Sequence, residues 1–367
     1  MMKILFLVLC LVNRLHKVHG IEKDDLELET QLRVINKPPV KSIQTKFGYI
    51  VDCIDIYKQP AFDHPLLKDH RLRRKPSFQN SIEKNSVKNS SATPIIGLEK
   101  DQYCSTGTVP IRRTTKDDLI RSRSLFHNQT KLQGFPGAHN AEVYLRSFDG
   151  PYYKVSGQNS IYNPRVLRND QTAISHIWVL NGPTYGTNKI AFGWHSDNYR
   201  KTGCYNMHCA GFVQTHRGNY LGARLDQTSV YGGIIVEFAL SITQDSATKD
   251  WWLNVGGQNV GYFPAKLFSN LKSANQVGWG GRTLTPPGTP SPQMGSGYLP
   301  DGNFLHACYF RHISFQNATR KDFPPQQFQA DTIVDKPDCF DAKYYGDLGG
   351  QVGYSLQFGG PGGRCGN

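Results

Sequence analysis

Acid–base residues are the first to locate, because other catalytic signatures are absent. No GxSxG elbow, HExxH helix, Walker loop or GxGxxG turn occurs in the 367 residues, which removes the commonest hydrolase, metalloprotease and nucleotide-binding chemistries. Carboxylates that do hydrolytic chemistry work as a pair, one ionised to activate water and its neighbour protonated to donate to the leaving group. From residue 130 onward the chain holds only two glutamates, Glu142 and Glu237. Glu237 stands in IIVEFALSIT, where Val236, Phe238, Leu240 and Ile242 form the apolar face of a strand. It lies opposite them with Ile235, Ala239 and Ser241. On a solvated face Glu237 is an ordinary outward residue; on a cleft-lining face it would meet Arg282. Asp197, Asp226 and Asp301 fall in turn contexts, where aspartate serves the backbone. Cys204, His208 and Cys209 have the types of metal ligands, but in a secreted chain a disulfide-closed loop is the expectation, with no metal and no other cofactor.

The elements that must carry such residues read as short strands. Beyond about residue 136, alternating or aromatic runs recur between Gly-, Pro- and Asn-rich turns: Glu142–Leu145, Tyr152–Val155, Thr172–Leu180, Lys189–Trp194, Gly211–Thr215, Gly233–Ile242, Trp251–Val255, Gln258–Phe263, Ala307–Phe315 and Gly353–Phe358. Many short strands of this kind predict an all-β sandwich or barrel. Gly256-Gly257 between two aromatic runs predicts a hairpin. Pro264 followed by Leu267, Phe268, Leu271 and Ala274 predicts a short amphipathic helix. Gly278-Trp279-Gly280-Gly281 lets the backbone pass close to an indole and reads as cleft lining. Thr283–Pro292 (TLTPPGTPSP) predicts a mobile, exposed loop.

The run WWLNVGGQNVGYFPAKLFSNLKSANQVGWGGR with the later QMGSG resembles the neprosin family of plant secreted proteins. GCYNMHCAGFVQ (203–214) and SHIWVLNG (175–182) carry the same resemblance, with His176 where the family usually has glutamine. The resemblance implies glutamic endopeptidases that cut after proline, built as an antiparallel β-sandwich of two large sheets. It also implies where the catalytic glutamates belong. One follows WGG, where this chain has Arg282; the other falls in NKIAFGW (188–194), where it has Ala191. A hairpin that the family carries after this second motif is missing beyond Trp194. Alanine can neither give nor take a proton, and arginine stays charged at any workable pH. Trp194, Tyr262, Trp279, Gly280 and Gly281 are the expected lining of the remaining cleft.

Residues 21–130 are more charged and poorer in glycine than the C-terminal two thirds of the chain. DCIDIYKQPAFDHPLLK and CSTGTVPIRRTTKDDLIRSRSL within them resemble the family's activation-peptide module. The likeness implies a small mixed pro-region that covers the cleft and is removed on maturation, with the sandwich domain over 131–367. Thr115 and Asp118 have capping-box spacing. Arg71, Arg73, Arg74 and Lys75 form a basic run that reads either as a processing site or as a solvated face. Residues 1–20, basic and then apolar from Ile4 to Val12, read as a secretory signal peptide, too short to span a bilayer. Sequence proximity and the family likeness imply disulfides Cys53–Cys104, Cys204–Cys209 and Cys339–Cys365, leaving Cys308 unpaired and buried. Sequons at Asn89, Asn128 and Asn317 agree with secretion.

The formal charge of +13 favours polyanions, yet no nucleic-acid module is present and no membrane span is expected. The leading reading is a secreted, extracellular protein of the apoplast or cell wall. Its peptidase chemistry is lost, and its cleft binds a proline-rich peptide or an acidic wall polysaccharide. An active acid-pH endopeptidase, with an unrecognised dyad such as one using Glu237 or an incomplete gene model at the shortened hairpin, is the alternative. A basic wall-associated structural protein is the third. Oligomeric state is not legible in the sequence.

Overall fold

The computed structural model describes residues 25–78, 96–120, 137–168, 170–183, 186–196 and 211–366. The signal segment 1–20, Asn89, Asn128, Asp197, Cys204, His208 and Cys209 lie outside them.

The N-terminal module is a three-stranded antiparallel sheet of β1 (Lys41–Gln44), β2 (Ile50–Asp55) and β3 (Thr108–Arg112) in the order β1-β2-β3. The Cys53–Cys104 disulfide staples it around a small core of Ile43, Val51 and Leu98, joined by Tyr220 of the main domain. The capping box forms: the Thr115 amide donates to Asp118 Oδ2 at 2.8 Å, and the Asp118 amide to Thr115 Oγ1 at 3.2 Å.

The remainder is a β-sandwich. One sheet runs β16 (Asp341–Asp347), β17 (Tyr354–Gly359), β13 (Cys308–Gln316), β5 (Lys154–Ser160), β9 (Glu237–Gln244), β10 (Trp251–Val255), β11 (Gln258–Phe263) and β8 (Val213–Gln214), with β14 (Asp322–Phe323) on β13. The other has five strands: β15 (Ala330–Val334), β4 (Ala138–Leu145), β12 (Gln276–Leu284), β6 (Thr172–Asn181) and β7 (Asn188–Ser196). The named pairings are antiparallel. Alternation sends Val143, Ile177, Val179, Ile190, Val277 and Trp279 from the five-stranded sheet against Val155, Phe238, Leu240, Ile242, Phe310 and Phe358 of its partner. This is the core. Cys339–Cys365 closes the C-terminal segment, and Cys308 is a free, buried thiol.

The β10–β11 hairpin forms as expected, Gly256 (φ +53) and Gly257 (φ +85) supplying the left-handed turn. The helix after Pro264 does not. A single 3-10 turn, Ala265–Leu267, gives way to extended chain at Phe268. The segment has to cross from one sheet to the other, so Leu271 and Ala274 are buried by a crossing loop rather than by a helical face. The proline-rich loop also departs from expectation. Gln171 donates to Thr285 Oγ1 and to the Pro290 carbonyl, both at 2.7 Å, and Ser291 bridges Gly363. Pro287, Gly288 and Pro290 remain exposed.

The described part of the module meets the domain at the loop after β8, through Tyr49 with Tyr220 and Cys104 with Arg217, and on the nine-stranded sheet. Phe62, Leu72 and Phe78 pack on Val213, Trp252 and Tyr262 of the nine-stranded sheet. Gln59 exchanges hydrogen bonds with the Gln214 backbone, Arg73 Nε reaches Asp250 at 3.1 Å, and Ser77 is held by Asp245. The expectation that the module covers the cleft at Arg282 is therefore corrected for its described residues: they cover the outer face of the opposite sheet.

Candidate binding face on the five-stranded sheet

Because β12 pairs with β4 on one side and β6 on the other, three rows of residues cross the outward face. Gly278 is level with Tyr144 and Trp178, and Trp178 with Ala191. Gly280 is level with Glu142 and His176, and His176 with Gly193. Arg282 is level with Asn140 and Ile174. Ala191 and Arg282 thus share a face, with the Glu142 row running between them.

Glu142 is the centre of that row. It is 4% exposed, as is His176. His176 Nε2 lies 3.0 Å from one carboxylate oxygen and Trp178 Nε1 donates to the other at 2.9 Å. Burial alone would raise the Glu142 pKa, but Lys189, the hydrogen bond and charge of His176, and Arg282 outweigh it and bring the group down to about 2. Burial is also the main influence on His176, lowering its pKa against the opposing pull of Glu142. Glu142 is thus held ionised, while burial works against a second proton on His176. Lys189 places its ammonium 4.5 Å from the centre of the Trp178 ring. The glycine at 278 is required here, since a Cβ would stand 2.6 Å from the indole that lies across it.

Each Glu142 oxygen accepts one of these hydrogen bonds, and a carboxylate with a pKa near 2 is a weak base. Asp331, at the β15 edge of the same sheet, is gripped by Arg146 through Nε and Nη2. Among the described residues no cluster of His, Cys, Asp and Glu could hold a metal ion.

Several expected positions move. Glu237 is on the outward side of the other sheet, where Arg311 takes both of its oxygens at 2.7 Å and Tyr309 donates to it. The core separates it from Arg282, so that pairing does not exist. Trp279 is fully buried, donating from Nε1 to the Ser156 carbonyl at 2.9 Å. Trp194 turns inward onto Phe238, and Tyr262 lies under the module with its hydroxyl held by His70 and the Arg73 amide. None of the three is an aromatic platform beside Arg282. Of the two glycines, Gly280 lies on the outward face and Gly281 faces the core against Met294 and Phe358. The aromatics of the face are Trp178 and Tyr144, and its central acid is Glu142. Alternation in SHIWVLNG puts 176 and 178 on one face, and alternation in AEVYL sets Glu142 opposite Val143. Asn317 lies just past the end of β13, its Oδ1 accepting from the Thr319 hydroxyl at 2.8 Å.

The neprosin family model matches residues 154–361, and the neprosin activation peptide model matches residues 42–155. The chain belongs to the neprosin family. The activation-peptide match runs through β4, yet β4 lies between β12 and β15 in the domain's sheet. Among solved structures, SCP-B, a member of the eqolisin family of peptidases in complex with the tripeptide Ala-Ile-His, is 12% identical over 61% of this chain and 97% of that chain, with a TM-score of 0.31. Scytalido-glutamic peptidase with a peptide-based transition-state analog has the same identity, coverage and TM-score. In the described part of this neprosin-family chain, no helix is long and apolar enough to cross a membrane.

Proposed function

We propose that this chain is a secreted, extracellular neprosin-family protein that binds through the outward face of its five-stranded sheet without hydrolysing its ligand. The observation that carries the reading is the state of Glu142. The acid at the centre of the face is ionised, with a hydrogen bond on each oxygen, while the two positions assigned by resemblance to catalytic glutamates hold Ala191 and Arg282. No pair of carboxylates there can divide the roles of base and acid. Losing one such group typically costs about 10²–10⁴ in rate, and losing both brings hydrolysis near background. A proline-rich peptide or an acidic polysaccharide is the ligand class in view, the first from the family's activity and the second from the net charge of +13.

The test is incubation of the purified chain, with the module present and after its removal, with a proline-rich peptide at acid pH. The expected result is intact peptide by mass spectrometry beside an active family member as positive control. Cleavage by the wild-type chain would overturn the reading.

A further inference from the structure

A cut between residues 121 and 136 ends the covalent tie between module and domain, but two separate contact areas still join them. The first is the loop after β8. There the Leu98 amide donates to the Gly218 carbonyl at 3.1 Å and the Cys104 amide to the Arg217 carbonyl at 3.0 Å. Arg217 Nε returns a bond to the Cys104 carbonyl at 2.6 Å. The Tyr49 and Tyr220 hydroxyls meet at 2.8 Å, and Tyr220 shares one small core with Ile43, Val51 and Leu98. The fit is close: a Cβ at Gly218 would stand 2.1 Å from the Tyr103 ring, and one at Gly97 (φ +91) 2.3 Å from the Gly218 carbonyl oxygen.

The second area is the end of the nine-stranded sheet. β8 is its edge strand, and Gln59 stands where a further strand would. Gln59 Nε2 donates to the Gln214 carbonyl at 3.1 Å, and its Oε1 accepts from the Gln214 amide at 2.7 Å. One side-chain amide thus satisfies both backbone groups that an edge residue leaves open. Beside it, Ala61, Phe62, Leu72 and Phe78 pack on Val213, Trp252 and Tyr262, and all three of these domain residues are buried. Buried Asp245 and Asp250 take hydrogen bonds from Ser77 and Arg73 of the module. Loss of the module would leave an open sheet edge next to an apolar patch, both of which are unfavourable in water.

We propose that the module is a permanent subunit of the fold: after the chain is cut between 121 and 136 it stays bound, and the protein persists as two chains with no covalent bond between them. A shared apolar core and main-chain hydrogen bonds across the boundary are the marks of an obligate interface, which resembles a domain core cut in half. The outer face of β8, β10 and β11 is then an interaction surface whose partner is the module. The residues named in both areas lie outside the five-stranded sheet, so retention of the module and ligand binding on that sheet are separate questions, and neither depends on whether peptide is hydrolysed.

The experiment places a recognition sequence for a site-specific protease between residues 126 and 136 of the full chain and cuts it to completion. Electrophoresis in SDS without reductant verifies the cut by two bands. The product is then passed over a size-exclusion column at neutral pH and about 1 µM, a concentration at which only a submicromolar complex survives, and the peak is weighed by native mass spectrometry. The expected result is one species with the mass of the uncut chain plus one water. In a urea series on the cut protein, Gln59→Ala and Gly218→Ala should each lose the module at a lower urea concentration than wild type. Lys343→Gln, on exposed β16, should lose it at the wild-type concentration. If Gly218→Ala does not fold, Gln59→Ala decides. Elution of the module apart from the domain, precipitation of the domain after the cut, or retention that neither variant weakens would each overturn the proposal.

Discussion

At the scale of single residues, the chemistry turns on the surroundings of Glu142. Its pKa is depressed in the fold to about 2 from an ordinary value of about 4.3 in the unfolded chain. The stability this contributes is complete above the unfolded value and is lost as pH falls from about 4.3 towards about 2. Linkage puts its size at up to about 3 kcal/mol. Glu142→Gln should therefore be less stable than wild type at neutral pH by about 2 kcal/mol or more, because the buried N–H groups lose a charged acceptor. The two proteins should converge on acidification through that window. Parallel chemical denaturation at neutral and acid pH reads both quantities; a gap that does not shrink would mean the network is not held by charge. Arg282→Glu acts on the same group from the next strand. It removes a cation and adds a like charge on a diagonal neighbour, so the Glu142 pKa should rise by about one to three units, tracked by carboxyl NMR titration.

At the scale of elements, β12 is the strand that places the face, and its glycines are the reason. Gly278 leaves room for the Trp178 indole, Gly280 (φ +149) passes against the Ala141 carbonyl, and Gly281 fits beneath Met294 and Phe358. Gly278→Ala should cost about 1–3 kcal/mol by overpacking against Trp178. Adding Trp178→Leu should recover part of that loss, a coupling visible in a double-mutant cycle of thermal unfolding. The same glycines explain why this strand is hard to read. A run of Gly, Trp, Gly and Gly has the composition of a turn, so the central strand of the site sheet reads as cleft lining, and fully buried Trp279 as its platform. Strands with ordinary alternation, such as β6, β9 and β13, are legible because apolar residues recur at every second position. Which sheet each belongs to is not legible: the alternation around Glu237 leaves open whether it meets Arg282, and only sheet order reveals that the two point to opposite sides of the sandwich. The helix expected after Pro264 fails for a related reason, since helical spacing over eight residues also describes a loop that buries a side chain on each sheet it crosses.

At the scale of the whole molecule, the disulfide in the module decides which cut can free it. Arg71, Arg73, Arg74 and Lys75 lie between Cys53 and Cys104, which are bonded to each other. A protease acting in that run breaks the backbone without separating the pieces, and Gln59, Phe62 and Leu72 still hold the upstream part against the nine-stranded sheet. Arg73 is in addition engaged with Asp250. A cut between residues 121 and 136 is different. It falls after both cysteines and before β4, which must stay with the domain because its eight residues pair with β12 and five of them with β15. Limited trypsin digestion at neutral pH separates these cases. Cleavage at the basic run should give a product of unchanged mobility on a non-reducing gel that splits into two bands on reduction. Cleavage between 121 and 136 should release a module-sized band without reductant. An N-terminal fragment lost from the basic run under non-reducing conditions would show that the Cys53–Cys104 bond does not form in solution, and the module would then be free to leave by the shorter route.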